Sequence, residues 1–211
     1  MTDGIIFDVD GTLWDSTEIV AKAWNRVIAK ETNLAPDLTG DRLKGLFGKT
    51  LPDIAAILFS DFEKQRQLEL IDHCCMEEHR ALLADPAEIY PGLSEVLPLL
   101  AMHCPLFIVS NCQAGYIEVF LQGTGLGCYF TDHLCPGDTG EAKAANIRTI
   151  VQKHHLRSPI YVGDTDGDHQ ACLEAGVPFV HAAYGFGKTE NPDYIIRHPM
   201  DLPDLFLRQK K

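Results

Sequence analysis

The chain has 211 residues, 45% of them apolar and 23% charged, so it is long enough to bury a substantial core as one domain or as a core with an insertion. Its formal net charge of −12, with no stripe of Lys and Arg to offset it, would repel a phosphate backbone and excludes nucleic acid as the expected partner. No stretch approaches the roughly 18 apolar residues of a membrane span, and the N-terminus lacks a basic flank followed by a signal-length apolar run, so a soluble cytoplasmic protein is expected.

In chain order, the first apolar run is "GIIFDV" (residues 4–9), which ends in "DVDG" with Asp8 inside it and Asp10 and Gly11 directly after it. From Asp15 to about Glu88 the pattern is helical only. Asp15 and Glu18 suggest a capping box, and Ile19, Val20, Ala23, Trp24, Val27 and Ile28 repeat at helical spacing. Thr39 and Thr50 are suited to N-caps, and residues 61–84 form a long amphipathic pattern that ends at Asp85-Pro86. Trp14 and Trp24 are expected to pack this block or line its hinge.

After "YPG" (residues 90–92) the strand–helix rhythm resumes. Apolar runs "PLFIV" (105–109), "PIYV" (159–162) and "PFVHAA" (178–183) alternate with helix-length segments at 92–102, 113–122, 141–155 and 167–175. Runs without polar alternation suit strands covered on both faces. The expected fold is therefore α/β, a doubly wound Rossmann-like parallel sheet with an inserted all-helical cap. Residues 1–14 and 88–211 are assigned to the core and 15–87 to the cap.

Ligands of such sheets bind outside the carboxyl ends of the strands. The residues there are Asp8 and Asp10 after the first run, Ser110 and Asn111 after the second, and Asp164, Asp166 and Asp168 after the third. Lys143 opens the helix before the third run. If the backbone stays extended through Asp10, Asp8 and Asp10 share one face and Gly11 permits the turn away. Three carboxylates in one crevice repel one another and resist desolvation, and a hard divalent ion with oxygen ligands, magnesium above all, relieves that cost.

Other patterns lead elsewhere. The seven cysteines form an odd set without a CxxC pair and read as reduced thiols. The "HCCMEEH" tract lacks ligands at zinc spacing, "DTG" at Asp138 has no second copy for a carboxyl dyad, and the "DTDGDH" tract misses the calcium-loop glycine and glutamate. "GTGLG" follows a helix, so a dinucleotide fingerprint fails on context. An exposed loop role suffices for Asp166.

In order and spacing, "DVDGT" (Asp8 to Thr12), the serine of "LFIVSN", the lysine of "TGEAKAANI" and "GDTDGD" (Gly163 to Asp168) resemble the four motifs of the haloacid dehalogenase superfamily. The whole chain is similar to that superfamily's helically capped small-molecule phosphatases, the phosphoglycolate phosphatase-like branch. The resemblance implies Asp8 as nucleophile, forming an aspartyl-phosphate, and Asp10 as general acid and base. It implies magnesium held by the Asp8 carboxylate, the Asp10 carbonyl and Asp164. Ser110, Lys143 and the Asn111 N–H would bind the phosphoryl group, with Asp168 behind them near Lys143.

A small phosphorylated metabolite is the expected substrate. Asp10 argues against a dehalogenase, and Gly163 before Asp164, where mutases usually carry Glu, favours a phosphatase over a sugar-phosphate mutase. A non-catalytic phospho-acceptor signalling domain is the remaining alternative, disfavoured by Asp10 and the insertion. In the basic loop "RLKGLFGKT" (Arg42 to Thr50), Lys49 is the expected leaving-group contact, with Lys44 and Arg42 as alternatives. Whether the protein is a monomer or a homodimer is not legible.

Overall fold

A computed structural model describes residues 2–207; Met1 and residues 208–211, the ends of the expected core unit, lie outside the described residues. Among the described residues, six strands form one parallel sheet: β1 (Gly4–Phe7), β2 (Leu106–Val109), β3 (Phe130–Leu134), β4 (Pro159–Gly163), β5 (Phe179–Ala182) and β6 (Tyr194–Ile196). Their order is β3-β2-β1-β4-β5-β6, all neighbours parallel, which is the doubly wound arrangement. The order reverses at β1, between β2 and β4. Ile5 pairs with Leu106 on one side and Ile160 on the other.

The apolar runs produce this sheet because both faces are covered. Ile5 and Phe7 belong to one buried cluster, while Ile6 joins Phe107, Val109, Ile147, Tyr161 and Phe179 in a second on the opposite face. Each such side chain, fully buried, contributes about 1.5–3 kcal/mol.

Five helices fall between β1 and β2 among the described residues, the first four being α1 (Thr17–Glu31), α2 (Gly40–Lys44), α3 (Leu51–Leu58) and α4 (Lys64–Ala84). Val20, Ala23, Trp24 and Val27 form the buried stripe of α1, which packs mainly on α4. Thr39 and Thr50 cap α2 and α3 as expected, accepting from the N–H groups of Arg42 and Asp53. The expected Asp15–Glu18 box does not form. Instead Ser16 precedes the helix, and Asp15 Oδ1 takes the backbone N–H and hydroxyl of Thr17.

The chain leaves and re-enters the sheet side by side. Trp14 bridges Ile89 in antiparallel fashion, and Tyr90 N donates to Leu13 O at 3.0 Å. The remaining helices are α5 (Leu93–Ala101), α6 (Tyr116–Thr124), the single turn α7 (Pro136–Thr139), α8 (Lys143–Lys153), α9 (Asp166–Ala175) and α10 (Leu202–Leu207). No helix among the described residues is long and apolar enough to cross a membrane.

Candidate active site

The strand ends meet where the sheet order reverses. Strand pairing of β1 stops at Phe7, one residue before Asp8, whose N–H still bonds Val162 O at 2.9 Å. Asp10 lies beyond, in a turn built on Val9 O, which accepts from Thr12, Leu13 and Trp14. Gly11 turns the chain with φ +80°, and a Cβ there would stand 2.3 Å from Asp164 Oδ2. Glycine therefore serves both the backbone conformation and the close approach.

Asp8 and Lys143 are both buried and paired. Lys143, the first residue of α8, reaches Asp8 Oδ1 at 2.9 Å and Asp168 Oδ1 at 2.5 Å. Burial works against the Lys143 charge, but Asp168 and Asp8 outweigh it and hold the ammonium firmly protonated. Burial raises Asp8 to about 6, with Lys143 offsetting part of the shift, Asp168 adding to it and the nearby Ser110 hydroxyl lowering it slightly. Asp168 is pulled the other way. Burial would raise it, but Lys143 and the Thr165 hydroxyl and N–H hold it below its ordinary value.

Asp10 sits in a cradle of donors. Its Oδ1 accepts from Ser16 Oγ at 2.6 Å, Tyr116 OH at 2.8 Å and Trp14 Nε1 at 3.0 Å. Burial nonetheless pushes it to about 7, with Ser16 and Tyr116 countering and Asp8 reinforcing the rise. A carboxyl poised near neutrality can give and take a proton in one cycle.

Asp8, Asp164 and Asp168 each offer an oxygen within 4.8 Å of the others, the grouping that suits a cation. Their bonding separates the roles. Asp168 Oδ1 is taken by Lys143 and Tyr161, and its Oδ2 by Thr165. Asp164 Oδ2 accepts from Phe186 N at 2.7 Å and Gly187 N at 3.3 Å, but its buried Oδ1 has no partner among the described residues. Burial, with Asp168 and Asp8 nearby, drives Asp164 well above its ordinary range. An unpartnered carboxylate oxygen among other carboxylates fits a hard divalent ion, with Asp164 as ligand and Asp168 behind it.

Over these residues lies a cavity of about 30 Å³, walled by Asp8, Asp10, Ser110 and Asn111 from the sheet side and Lys49, Trp24 and Glu78 from the inserted helices. It holds little more than a water or two. Asn111 Nδ2 donates to Gly48 O at 2.9 Å and ties the two sides together. The basic loop resolves into separate environments. Arg42 pairs with Asp37 and Lys44 with Asp15, whereas Lys49 lines the cavity rim. Asp166 is exposed at the start of α9 and accepts from the Thr189 hydroxyl.

Sequence reasoning passed over Ser16, Tyr116, Glu78, Gln113 and the Phe186–Gly187 loop. The glycines of "YGFG" (184–187) carried a signal, since a Cβ on Gly185 would lie 2.3 Å from Gly11 O. In the "HCCMEEH" tract Cys74 and Cys75 are buried thiols pushed well up by desolvation, and His73 pairs with Glu31.

Comparison with known proteins agrees with this geometry. The family model for haloacid dehalogenase-like hydrolases matches residues 5–182. A phosphoglycolate phosphatase of Rhodobacter capsulatus is 28% identical over 195 residues, covering 90% of this chain and 88% of the relative. One from Yersinia pseudotuberculosis is 26% identical, covering 94% and 90%. The fold matches a haloacid dehalogenase-like hydrolase from Streptococcus pneumoniae with TM-score 0.84 at 22% identity, covering 97% of this chain and 98% of that one. It also matches CbbY from Rhodobacter sphaeroides, solved with xylulose-1,5-bisphosphate, with TM-score 0.79 at 16% identity and 96% coverage of each chain. The chain belongs to the haloacid dehalogenase-like hydrolase family.

Proposed function

We propose that the protein is a magnesium-dependent phosphatase that removes the phosphoryl group from a small phosphorylated metabolite in the cytoplasm. The observation that carries the proposal is the buried Asp8–Lys143–Asp168 chain beside the unpartnered Asp164 Oδ1, with Asp8 at the wall of a cavity that Asp10 also lines. The phosphatase names of the relatives from Rhodobacter and Yersinia support the same reading. Residues 15–87 act as the cap that carries leaving-group contacts, Lys49 among them, and residues 1–14 and 88–211 as the core.

Asp8, Asp164 and the Asp10 main-chain carbonyl are the residues that would hold magnesium. When bound, the ion neutralises charge on the phosphoryl oxygens and offsets the repulsion between the carboxylates. Asp8 attacks phosphorus through a carboxylate oxygen while the ester P–O bond breaks. Asp10, protonated in the resting site, gives its proton to the departing oxygen. It then takes a proton from the water that hydrolyses the aspartyl-phosphate, releasing inorganic phosphate and restoring Asp8. Lys143, the Ser110 hydroxyl and the Asn111 N–H hold the phosphoryl oxygens, and stabilising that charge is the larger share of the catalysis.

The test is inorganic phosphate release from a panel of phosphorylated metabolites, with magnesium and with excess chelator. Asp8→Asn should release none and should incorporate no covalent phosphate. Full activity in chelator, or multiple turnover by the purified Asp8→Asn protein, would overturn the reading.

A further inference from the structure

The protein holds Asp10 by one oxygen only. Ser16 Oγ, Tyr116 OH and Trp14 Nε1 all converge on Oδ1, at 2.6, 2.8 and 3.0 Å, and among the described residues no donor reaches Oδ2. The residue stands at the wall of the cavity that Asp8 also lines. One oxygen is thus bound to the protein, and the other is left for a ligand.

The three donors differ in how firmly they are held. Trp14 and Tyr116 are fully buried; their rings meet edge to face at 6.0 Å, and Phe120 packs on Trp14 at 5.0 Å. Tyr116 opens α6, whereas Trp14 lies on the stretch by which the chain leaves β1, so the pair grips Asp10 from two parts of the fold. The packed rings fix where the indole N–H and the phenol oxygen sit. Ser16 is less constrained, because its hydroxyl turns about a single bond and also lies 3.0 Å from Tyr116 OH.

A neutral carboxyl has one proton to place. On Oδ1 that proton would compete with the donors: the indole N–H cannot become an acceptor, and a hydroxyl could accept only by withdrawing its own hydrogen from Asp10. On Oδ2 it leaves all three bonds intact. The phosphatase reading, on which this inference rests, needs the proton at the ester oxygen. As Asp8 bonds to phosphorus and the P–O bond to the alcohol breaks, the Asp10 proton passes to the departing oxygen. In the second half, water returns a proton to Asp10 while its oxygen takes phosphorus from Asp8.

We propose that Tyr116 and Trp14 are positioning residues for this transfer: by holding Asp10 Oδ1 they keep the mobile proton on Oδ2, the oxygen presented to the leaving group. Each acts through Asp10, as a supporting shell that fixes the orientation of a reacting group.

The experiment uses para-nitrophenyl, phenyl and benzyl phosphate with magnesium, three esters of similar size whose leaving oxygens become more basic in that order. The parameter is kcat/KM, which covers every step up to departure of the alcohol. Nitrophenolate leaves without a proton, whereas a benzyl alkoxide does not. Tyr116→Phe keeps the ring and removes only the hydroxyl. It should lower kcat/KM about tenfold on benzyl phosphate and about twofold or less on the nitrophenyl ester. Trp14→Phe, which removes the N–H donor, should steepen the dependence on leaving-group basicity in the same way. In an Asp10→Asn background Tyr116→Phe should cost nothing more on any ester, because the group it positions has no proton to give. Equal losses on the three esters, no loss on any, or a loss that persists in the Asp10→Asn background would make these residues structural supports and overturn the assignment. The two levels of inference separate cleanly. If the wild type cleaves the esters and their ratios stay fixed in both variants, only the positioning role fails; if it releases phosphate from neither these esters nor the metabolite panel, the phosphatase reading fails and this one with it.

Discussion

The two oxygens of Asp164 are treated differently: Oδ2 receives two backbone N–H groups, while Oδ1 is buried beside Asp8 and Asp168 and receives none. Replacing it by Asn keeps an acceptor for the Phe186 and Gly187 amides and removes one charge from the cluster. In chelator, Asp164→Asn should therefore melt higher than wild type, by the equivalent of about 1–2 kcal/mol, while phosphate release with magnesium is lost. Thermal unfolding with and without magnesium checks both halves, because the variant should also lose the metal's stabilising effect. Asp10 has the opposite profile. Its side chain is committed to Ser16, Tyr116 and Trp14, so Asp10→Asn should slow turnover by about 10²- to 10⁴-fold and leave magnesium stabilisation largely in place. If Asp10→Asn loses the metal as fully as Asp164→Ala does, the division of labour between the two acids is wrong.

Helix α9 links a helix start to the site. Thr165 accepts from Asp168 N, and Asp168 Oδ2 takes the N–H and hydroxyl of Thr165, a capping box whose acid also grips Lys143. Thr165→Ala should cost about 1 kcal/mol in urea denaturation. It should also lower kcat, because Asp168 gains freedom that Lys143 feels; a stability loss with unchanged kcat would uncouple the cap from catalysis. The elements differed in how openly the sequence declared them. β1, β2, β4 and β5 stand in the middle of the sheet and read as unbroken apolar runs. β3 is an edge strand whose "FTDHL" is only partly buried, with Asp132 paired to Lys153 and His154, and β6 at the other edge has three residues, two of them exposed. An edge need not be apolar on both faces, so the signal that marks an inner strand is missing there. The same logic divides the site. Asp8, Asp10, Ser110, Lys143, Asp164 and Asp168 announce themselves at strand ends and helix starts, whereas Tyr116 meets Asp10 across 106 residues and Gln113 meets Glu78 across 35, contacts that only the folded chain brings about.

At the scale of the whole molecule, the acids of the cavity make stability depend on pH. Burial raises Glu78 from 4.5 to about 8, with Gln113 and Trp24 countering and Asp10 adding to the rise. Between those values the folded protein keeps a proton that the unfolded chain releases. The contribution is fully present below about pH 4.5 and is lost as pH rises toward 8, at up to about 1 kcal/mol per pH unit. Glu78→Gln should flatten the fall in unfolding free energy across that window, measured by urea titrations in chelator; an unchanged slope would mean that Glu78 is ionised throughout. One more property follows from the place where the chain departs from the sheet and rejoins it, Trp14 against Ile89 and Leu13 O against Tyr90 N. An excursion whose two ends are already clasped adds almost no closure entropy as it lengthens, about 0.6 kcal/mol per doubling. The strands beneath it keep their register whatever is threaded between the clasped ends. The helical excursion can thus change in length and lining while the carboxylates at the carboxyl ends of the central strands stay where they are.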